Sequence, residues 1–172
     1  MIIAIVGGRG DGFTRVLRGL RCVLEEAGHD VGVLAMPQST GGVGRKRPDS
    51  YSWDADVVIA TTDRCSACDV ALILSKHGSC VNAPEAVFDS DNPTFSGFEP
   101  PERWVPVPCR RVASEARAPV VPGLVLLGAL CALKDLCSPD DIEKGLVEAE
   151  GPVGAVSARA ALAGWEYVRG RI

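Results

Sequence analysis

Ile2-Ile3-Ala4-Ile5-Val6-Gly7-Gly8-Arg9-Gly10-Asp11-Gly12-Phe13-Thr14 decides the fold of this chain. The opening five residues are an apolar, β-branched run without polar alternation. Such a run reads as a strand buried on both faces, as in the interior of a parallel sheet. Glycines end it, and from Phe13 the apolar positions change period. Phe13, Val16, Leu17, Leu20, Val23, Leu24 and Ala27 share one side of a helix. Gly28 follows as a C-terminal cap, and Val31 to Ala35 is a second apolar strand. Strand, glycine turn, helix and strand make a β-α-β unit, whose crossover is right-handed almost without exception.

Outward from that unit, Met36 to Trp53 is polar and rich in Gly, Ser, Arg and Lys. It reads as a long surface loop, and such loops in compact domains are functional or mobile. Asp56 to Thr61 carries a third strand, Val57-Val58-Ile59-Ala60. A helix is expected from about Ala67 to His77, then a turn at Gly78 and a short fourth strand, Cys80-Val81-Asn82. Val87-Phe88-Asp89 is a further extended piece, and Asn92 to Pro101 is a loop. Val105-Pro106-Val107-Pro108 is extended because each proline restrains its predecessor. Its missing N–H groups confine it to a sheet edge or outside the sheet. Helices follow near Arg110 to Ala116, Gly123 to Leu136, from Ser138 onward, and Ala155 to Arg169. Ser138 is an N-cap with Pro139 at the first helical position. No repeat, low-complexity segment or internal linker interrupts the pattern. Residues 1–172 are expected to form a single α/β domain, Rossmann-like and three-layered, with a mainly parallel sheet and extra C-terminal helices.

The length of 172 residues suits one sizeable core. With 47% apolar and 23% charged residues the chain is globular rather than disordered. A net charge of −4 supplies no basic face for nucleic acid and no polybasic membrane anchor. The N-terminal apolar run is too short for a signal peptide and has no basic leader. Val120 to Leu133 falls short of the roughly 20 residues that span a bilayer, and its glycines suit close helix packing. The chain is expected in the cytoplasm. Its seven cysteines are odd in number and several sit in apolar runs, which fits a reducing compartment.

The turn Gly7-Gly8-Arg9-Gly10-Asp11-Gly12 with Thr14 joins a strand to a helix N-terminus, where exposed backbone N–H groups form an anion site. Glycines let a phosphate approach because no side chain intervenes. A tight turn that binds nothing is the competing reading. The dinucleotide pattern fails, because counted from Gly8 its last glycine is Phe13. No acidic residue follows the second strand, where Met36-Pro37-Gln38 stands. The P-loop spacing from Gly7 to Gly12 is right and Thr14 is in place, but Phe13 replaces the lysine, so ATP hydrolysis is not expected. Gly10-Asp11-Gly12 begins like a thiamine diphosphate motif but lacks the paired asparagines.

Taken together, the pattern resembles the gamma subunit, or gamma domain, of 2-oxoacid:ferredoxin oxidoreductases that act on pyruvate, ketoisovalerate, 2-oxoglutarate or indolepyruvate. Three blocks carry it. One is the glycine turn, the long helix and Gly28-His29-Asp30-Val31. Another is Asp56-Val57-Val58-Ile59-Ala60, then a helix, then Gly78-Ser79-Cys80-Val81-Asn82. The third is Pro122-Gly123-Leu124-Val125-Leu126-Leu127-Gly128-Ala129-Leu130, followed by Ser157 to Gly164 with Ala160 and Gly164 as a small-residue pair. The chain departs from the family at Arg9 (glycine there), at Asp11 (glutamine), at Thr40 before Gly41-Gly42 (arginine), and at Pro122 and Ser157 (asparagines). The resemblance implies an enzyme that decarboxylates a 2-oxoacid oxidatively, makes an acyl-CoA and reduces an iron–sulfur protein, active only with partner subunits. Thiamine diphosphate, iron–sulfur clusters and CoA are implied for that complex, with none bound by this chain alone. Thiamine-binding and ferredoxin-like subunits are the implied partners, with a homodimer contact through the helices. The residues agree in carrying no cluster ligand set and no assignable catalytic group. The cofactor-contacting positions are Gly7, Gly8, Gly10, Gly12, Thr14, Gly41 and Gly42.

Other residues carry weaker signals. Cys65-Ser66-Ala67-Cys68 lies at the start of the expected helix, where the dipole favours a thiolate. A redox pair or half a metal site would look like this, as would incidental cysteines. Zinc lacks a second cysteine pair. Arg45-Lys46-Arg47 is either a grip for a phosphate such as the nucleotide end of CoA or a solvated loop. His29 and His77 follow helix ends, where histidine complements the dipole. Trp104 and Trp165 read as core or subunit contacts. A second function class stands beside the first: a stand-alone nucleotide- or CoA-binding module that kept the fold and uses Gly8 to Gly12 for an anion.

Overall fold

The computed structural model describes residues 1–7, 12–35, 55–62, 68–75, 83–118 and 122–171. Six strands, β1 (Ile2–Val6), β2 (Val31–Ala35), β3 (Val57–Thr62), β4 (Val70–Ile73), β5 (Ala86–Asp89) and β6 (Trp104–Val107), form one sheet in the order β2-β3-β1-β4-β5-β6. Every neighbouring pair is parallel. Among the described residues the sheet is therefore wholly parallel, and the fold is α/β and Rossmann-like. β1 is central, which accounts for its unbroken apolar sequence. β6 holds Pro106 at the edge, where its missing N–H costs no ladder bond on the open side.

The helices are α1 (Phe13–Glu26), α2 (Cys109–Glu115), α3 (Pro122–Lys134), α4 (Pro139–Glu150) and α5 (Gly154–Arg169). On α1 the buried residues are Val16, Gly19, Leu20, Val23 and Leu24, a stripe of helical period aimed at the core. α3 buries every residue from Gly123 to Ala132. It packs against β4, β5, α1, α2 and α5, so a helix apolar all round is what its place demands. α3 meets α5 at backbone distance. A Cβ on Gly128 would run into the Ala161 carbonyl, and one on Gly164 into the Val125 carbonyl. α4 lies across α1 and α5. Its start is a capping box, in which Ser138 and Asp141 each accept from the other's backbone N–H.

The far side of the sheet is covered differently. Ile3 and Ile5 of β1, Val70 and Leu72 of β4 and Val87 of β5 join the helical core. Ala4, Val6, Ala71, Ile73, Ala86 and Phe88 face a second cluster with Phe95, Trp104 and the half-buried Phe98. Phe95 closes a single-turn 3-10 helix, Pro93–Phe95, capped by Asn92, whose Oδ1 accepts from Thr94 N at 3.0 Å. Asn92 Nδ2 donates to the Leu74 carbonyl at 2.9 Å and pins this turn to the end of β4. Helix layer, sheet and this short turn make three layers. Among the described residues no helix is long and apolar enough to cross a membrane.

One expectation is corrected. The helix expected from Ala67 to His77 is instead a strand over Val70–Ile73, paired in parallel with β1 and β5. The run Val70-Ala71-Leu72-Ile73 is buried on both faces. A short continuous apolar run fits a buried strand and a buried helix equally in periodicity, and the gap beside β1 selects the strand. The second block of the resemblance is altered accordingly. The strand expected at Cys80-Val81-Asn82 and the loop from Met36 to Trp53 lie outside the described residues.

Candidate functional site

The glycine turn leaves the sheet beside its topological switch. From β1 the chain crosses by α1 to β2 on one side, while β4 lies on the other. Crevices outside the carboxyl ends of such strands are where open α/β sheets take ligands. Gly7 is buried at the end of β1. Gly12 is the N-cap of α1 with φ of +74°, a left-handed conformation that a side chain would strain. Its carbonyl accepts from Arg15 N at 3.0 Å and Val16 N at 3.1 Å. α1 has no side-chain cap and no acidic residue in its first turn, so its positive end is undecorated by its own sequence. Thr14 is exposed there. Gly8, Gly10, Gly41 and Gly42 lie outside the described residues; of the seven expected positions Gly7 ends β1, and Gly12 and Thr14 stand at the start of α1.

Thr14 lines an open groove of about 880 Å³ with Arg15, Arg18, Glu148, Ala149, Glu150, Gly151 and Val153. The floor is a polar knot. Arg15 Nη2 donates to Glu150 Oε2 at 2.6 Å and to Ser157 Oγ at 3.0 Å. Arg15 Nε pairs with Glu150 Oε1, and Ser157 Oγ also donates to Glu150 Oε2. The forked geometry is the strong form of an arginine–carboxylate pair. Arg15 holds the Glu150 carboxyl below its usual range, and the same hydrogen bond raises the Arg15 guanidinium. Both charges are spent on each other. The knot staples the start of α1 to the end of α4 and the first turn of α5, and Arg18 is the groove's further cation. Sequence reasoning missed Glu150 as a partner and read Ser157 only as a departure from the family. The contacts span 135 and 142 residues, for which no local signal exists.

A second polar cluster sits where β5 ends. Asp89 is 5% exposed, and its Oδ1 accepts from Asp91 N at 3.1 Å and Cys109 N at 3.3 Å. Burial pushes the Asp89 carboxyl up. Burial first, then Asp89, pushes the Cys109 thiol far above its ordinary range, so this thiol is inert. Asp91 Oδ2 accepts from Arg110 N at 3.0 Å and Arg111 N at 3.3 Å. Pro108, the N-cap of α2, offers no side-chain acceptor. Two aspartates from the β5 end therefore cap α2 from outside it, a structural task.

His29 Nε2 contacts the Leu136 carbonyl at 2.8 Å and ties two turns together. Trp104 is in the aromatic core, its Nε1 donating to the Ala83 carbonyl at 3.0 Å. Trp165 packs half-buried on the helical core with Arg169 stacked 5.2 Å from the ring centroid. Cys68 packs against the aromatic cluster. Cys65, His77 and Arg45-Lys46-Arg47 lie outside the described residues. Among the described residues no three His, Cys, Asp or Glu side chains are grouped to hold a metal ion.

No family model matches the sequence, and no curated protein does. Among solved structures, the crystal structure of a keto/oxoacid ferredoxin oxidoreductase gamma subunit from Geobacter sulfurreducens PCA is similar to this chain. The TM-score is 0.61 and the identity 19%, over 98% of this chain and 98% of that one. At that identity the likeness establishes the fold alone.

Proposed function

We propose that this chain is a gamma-type subunit of a 2-oxoacid:ferredoxin oxidoreductase, supporting oxidative decarboxylation of a 2-oxoacid to an acyl-CoA. The observation that carries the reading is the fold likeness across 98% of both chains to a subunit of that kind. The close α3–α5 packing through Gly128 and Gly164, residues that the sequence resemblance singled out, supports it. In this reading the chemistry belongs to partners. Thiamine-binding and ferredoxin-like subunits hold thiamine diphosphate and the iron–sulfur clusters. This chain contributes the glycine turn with Gly7, Gly8, Gly10, Gly12 and Thr14, and Gly41-Gly42, as backbone contacts near a cofactor or CoA phosphate. Its helices provide the homodimer contact, and the complex works in the cytoplasm.

The test is anaerobic native purification of the tagged full chain with mass spectrometry of what co-elutes. Thiamine- and cluster-bearing subunits are expected. Elution of the chain alone, with heat on titrating CoA, ATP or NAD, would replace this reading by a stand-alone nucleotide- or CoA-binding module.

A further inference from the structure

The C-terminal end of α3 brings two cysteines together. After Lys134, Asp135 takes a φ of +53° and the chain reverses. Leu136 N–H then donates to the Cys131 carbonyl at 3.0 Å, and Asp135 N–H to that of Ala132 at 3.4 Å. This is a Schellman ending. It folds position 137 back over the turn of α3 that carries Cys131. Cys131 is wholly buried in the helical core, and Cys137 packs half-buried against the same cluster. Of the groups around it, Cys137 acts most strongly on the Cys131 thiol. The reversal is clamped from both sides, by His29 on the Leu136 carbonyl and by Arg169 on Asp135.

We propose that Cys131 and Cys137 are a reversible redox pair, joined in a disulfide by a peroxide and released by a dithiol. Cys137, nearer to solvent, reacts first. Its sulfur attacks the peroxide, an S–O bond forms and the O–O bond breaks. The departing hydroxide leaves as water with the thiol proton, giving a sulfenic acid. The Cys131 sulfur then attacks the Cys137 sulfur, the S–O bond breaks, and the hydroxyl leaves as a second water with the Cys131 proton. Two thiols lose two electrons and the peroxide gains them. The order follows from the surroundings. Cys137, and then burial, hold the Cys131 thiol well above its ordinary range, which disfavours it as the first nucleophile. Among the other described cysteines, Cys22 lies on α1, Cys68 packs against the aromatic cluster, and Cys109 starts α2 with its backbone N–H on Asp89. The pair is argued from this chain's own residues and does not depend on the proposed complex.

The test is made on the reduced full chain, treated with a small excess of hydrogen peroxide and digested without reductant. Trypsin cleaves after Lys134, so the two cysteines fall on separate peptides that only a disulfide keeps together. Loss of two of the seven thiols, a Cys131–Cys137 cross-linked peptide and full recovery with dithiothreitol are expected. Cys137→Ser, at the half-buried site, should abolish the rapid loss and leave Cys131 unmodified. Cys131→Ala should leave a Cys137 sulfenic acid that dimedone captures. Recovery of Cys137 as a sulfinic acid beside a free Cys131 thiol would overturn the proposal. So would preferential linkage of either residue to another cysteine, or an unchanged thiol loss in Cys137→Ser.

Discussion

The two faces of the sheet are built on opposite plans. Toward the helices the strands send Ile3, Ile5, Val57, Ile59, Val70, Leu72 and Val87, and five helices answer with many interchangeable aliphatics. On the other face the register sets Ala60, Ala4, Ala71 and Ala86 side by side across four strands, ending at Trp104. There a few aromatic rings, Phe88, Phe95, Phe98 and Trp104, form the cluster, with centroids 4.9 to 6.4 Å apart. Many small contributions make one face redundant. A handful of rings, each burying a large area, makes the other depend on single residues. Backbone closeness replaces area in the helical layer, where glycines rather than large side chains set the α3–α5 distance.

The comparison breaks most visibly at Trp104. Trp104→Ala is expected to lower the unfolding free energy by about 3–5 kcal/mol, because it removes the ring and strands the Ala83 carbonyl. Trp104→Phe keeps most of the area and should cost less than half of that. Urea unfolding measures both, and an alanine loss below about 1 kcal/mol would mean that the aromatic turn is not a core. Gly164→Ala comes next, at about 1–3 kcal/mol, since its new methyl meets the Val125 carbonyl, which cannot rotate away. Gly19→Ala is its control. There the methyl meets the tip of the Leu146 side chain at 2.8 Å rather than backbone, and α1 gains helix propensity, so the loss should be smaller than at Gly164. Equal losses at the two glycines would refute backbone closeness as the organising contact.

The smallest effect is at Glu150. Arg15 depresses the Glu150 carboxyl, so this group contributes stability above its unfolded pKa of 4.5, and the contribution is lost as the pH falls through the lower folded value. Because the Arg15 side chain is 36% exposed, solvent screening trims the pair. Glu150→Gln should cost about 1 kcal/mol at neutral pH. Thermal melts across pH should show the two proteins converging below pH 4.5. A gap that persists at low pH would assign the loss to packing rather than charge.

Much of this was legible in the chain. The strands β1, β2 and β3, the stripe on α1, the edge placement of Pro106 and the Ser138 cap are local matters. Each is set by a period, a missing N–H or a hydroxyl within three residues of its partner. The glycines of α3 were visible as close-packing residues and Gly164 only as part of the family resemblance, and neither showed which carbonyl it would face. The site was half legible. Gly12 and Thr14 sit at the α1 N-terminus as the turn implied, whereas Glu150, which neutralises the neighbouring arginine, carries no mark of it.

The sequence by itself determined the strands β1, β2 and β3, the apolar stripe of α1 and the Ser138 cap of α4, because those depend on side-chain spacing over a few residues. Only the tertiary structure decided that Val70–Ile73 is a strand, that β1 lies between β3 and β4, and that Arg15, Glu150 and Ser157 meet. A four-residue apolar run is too short for its period to distinguish strand from helix, and contacts more than a hundred residues apart are selected by the space that the rest of the fold leaves open.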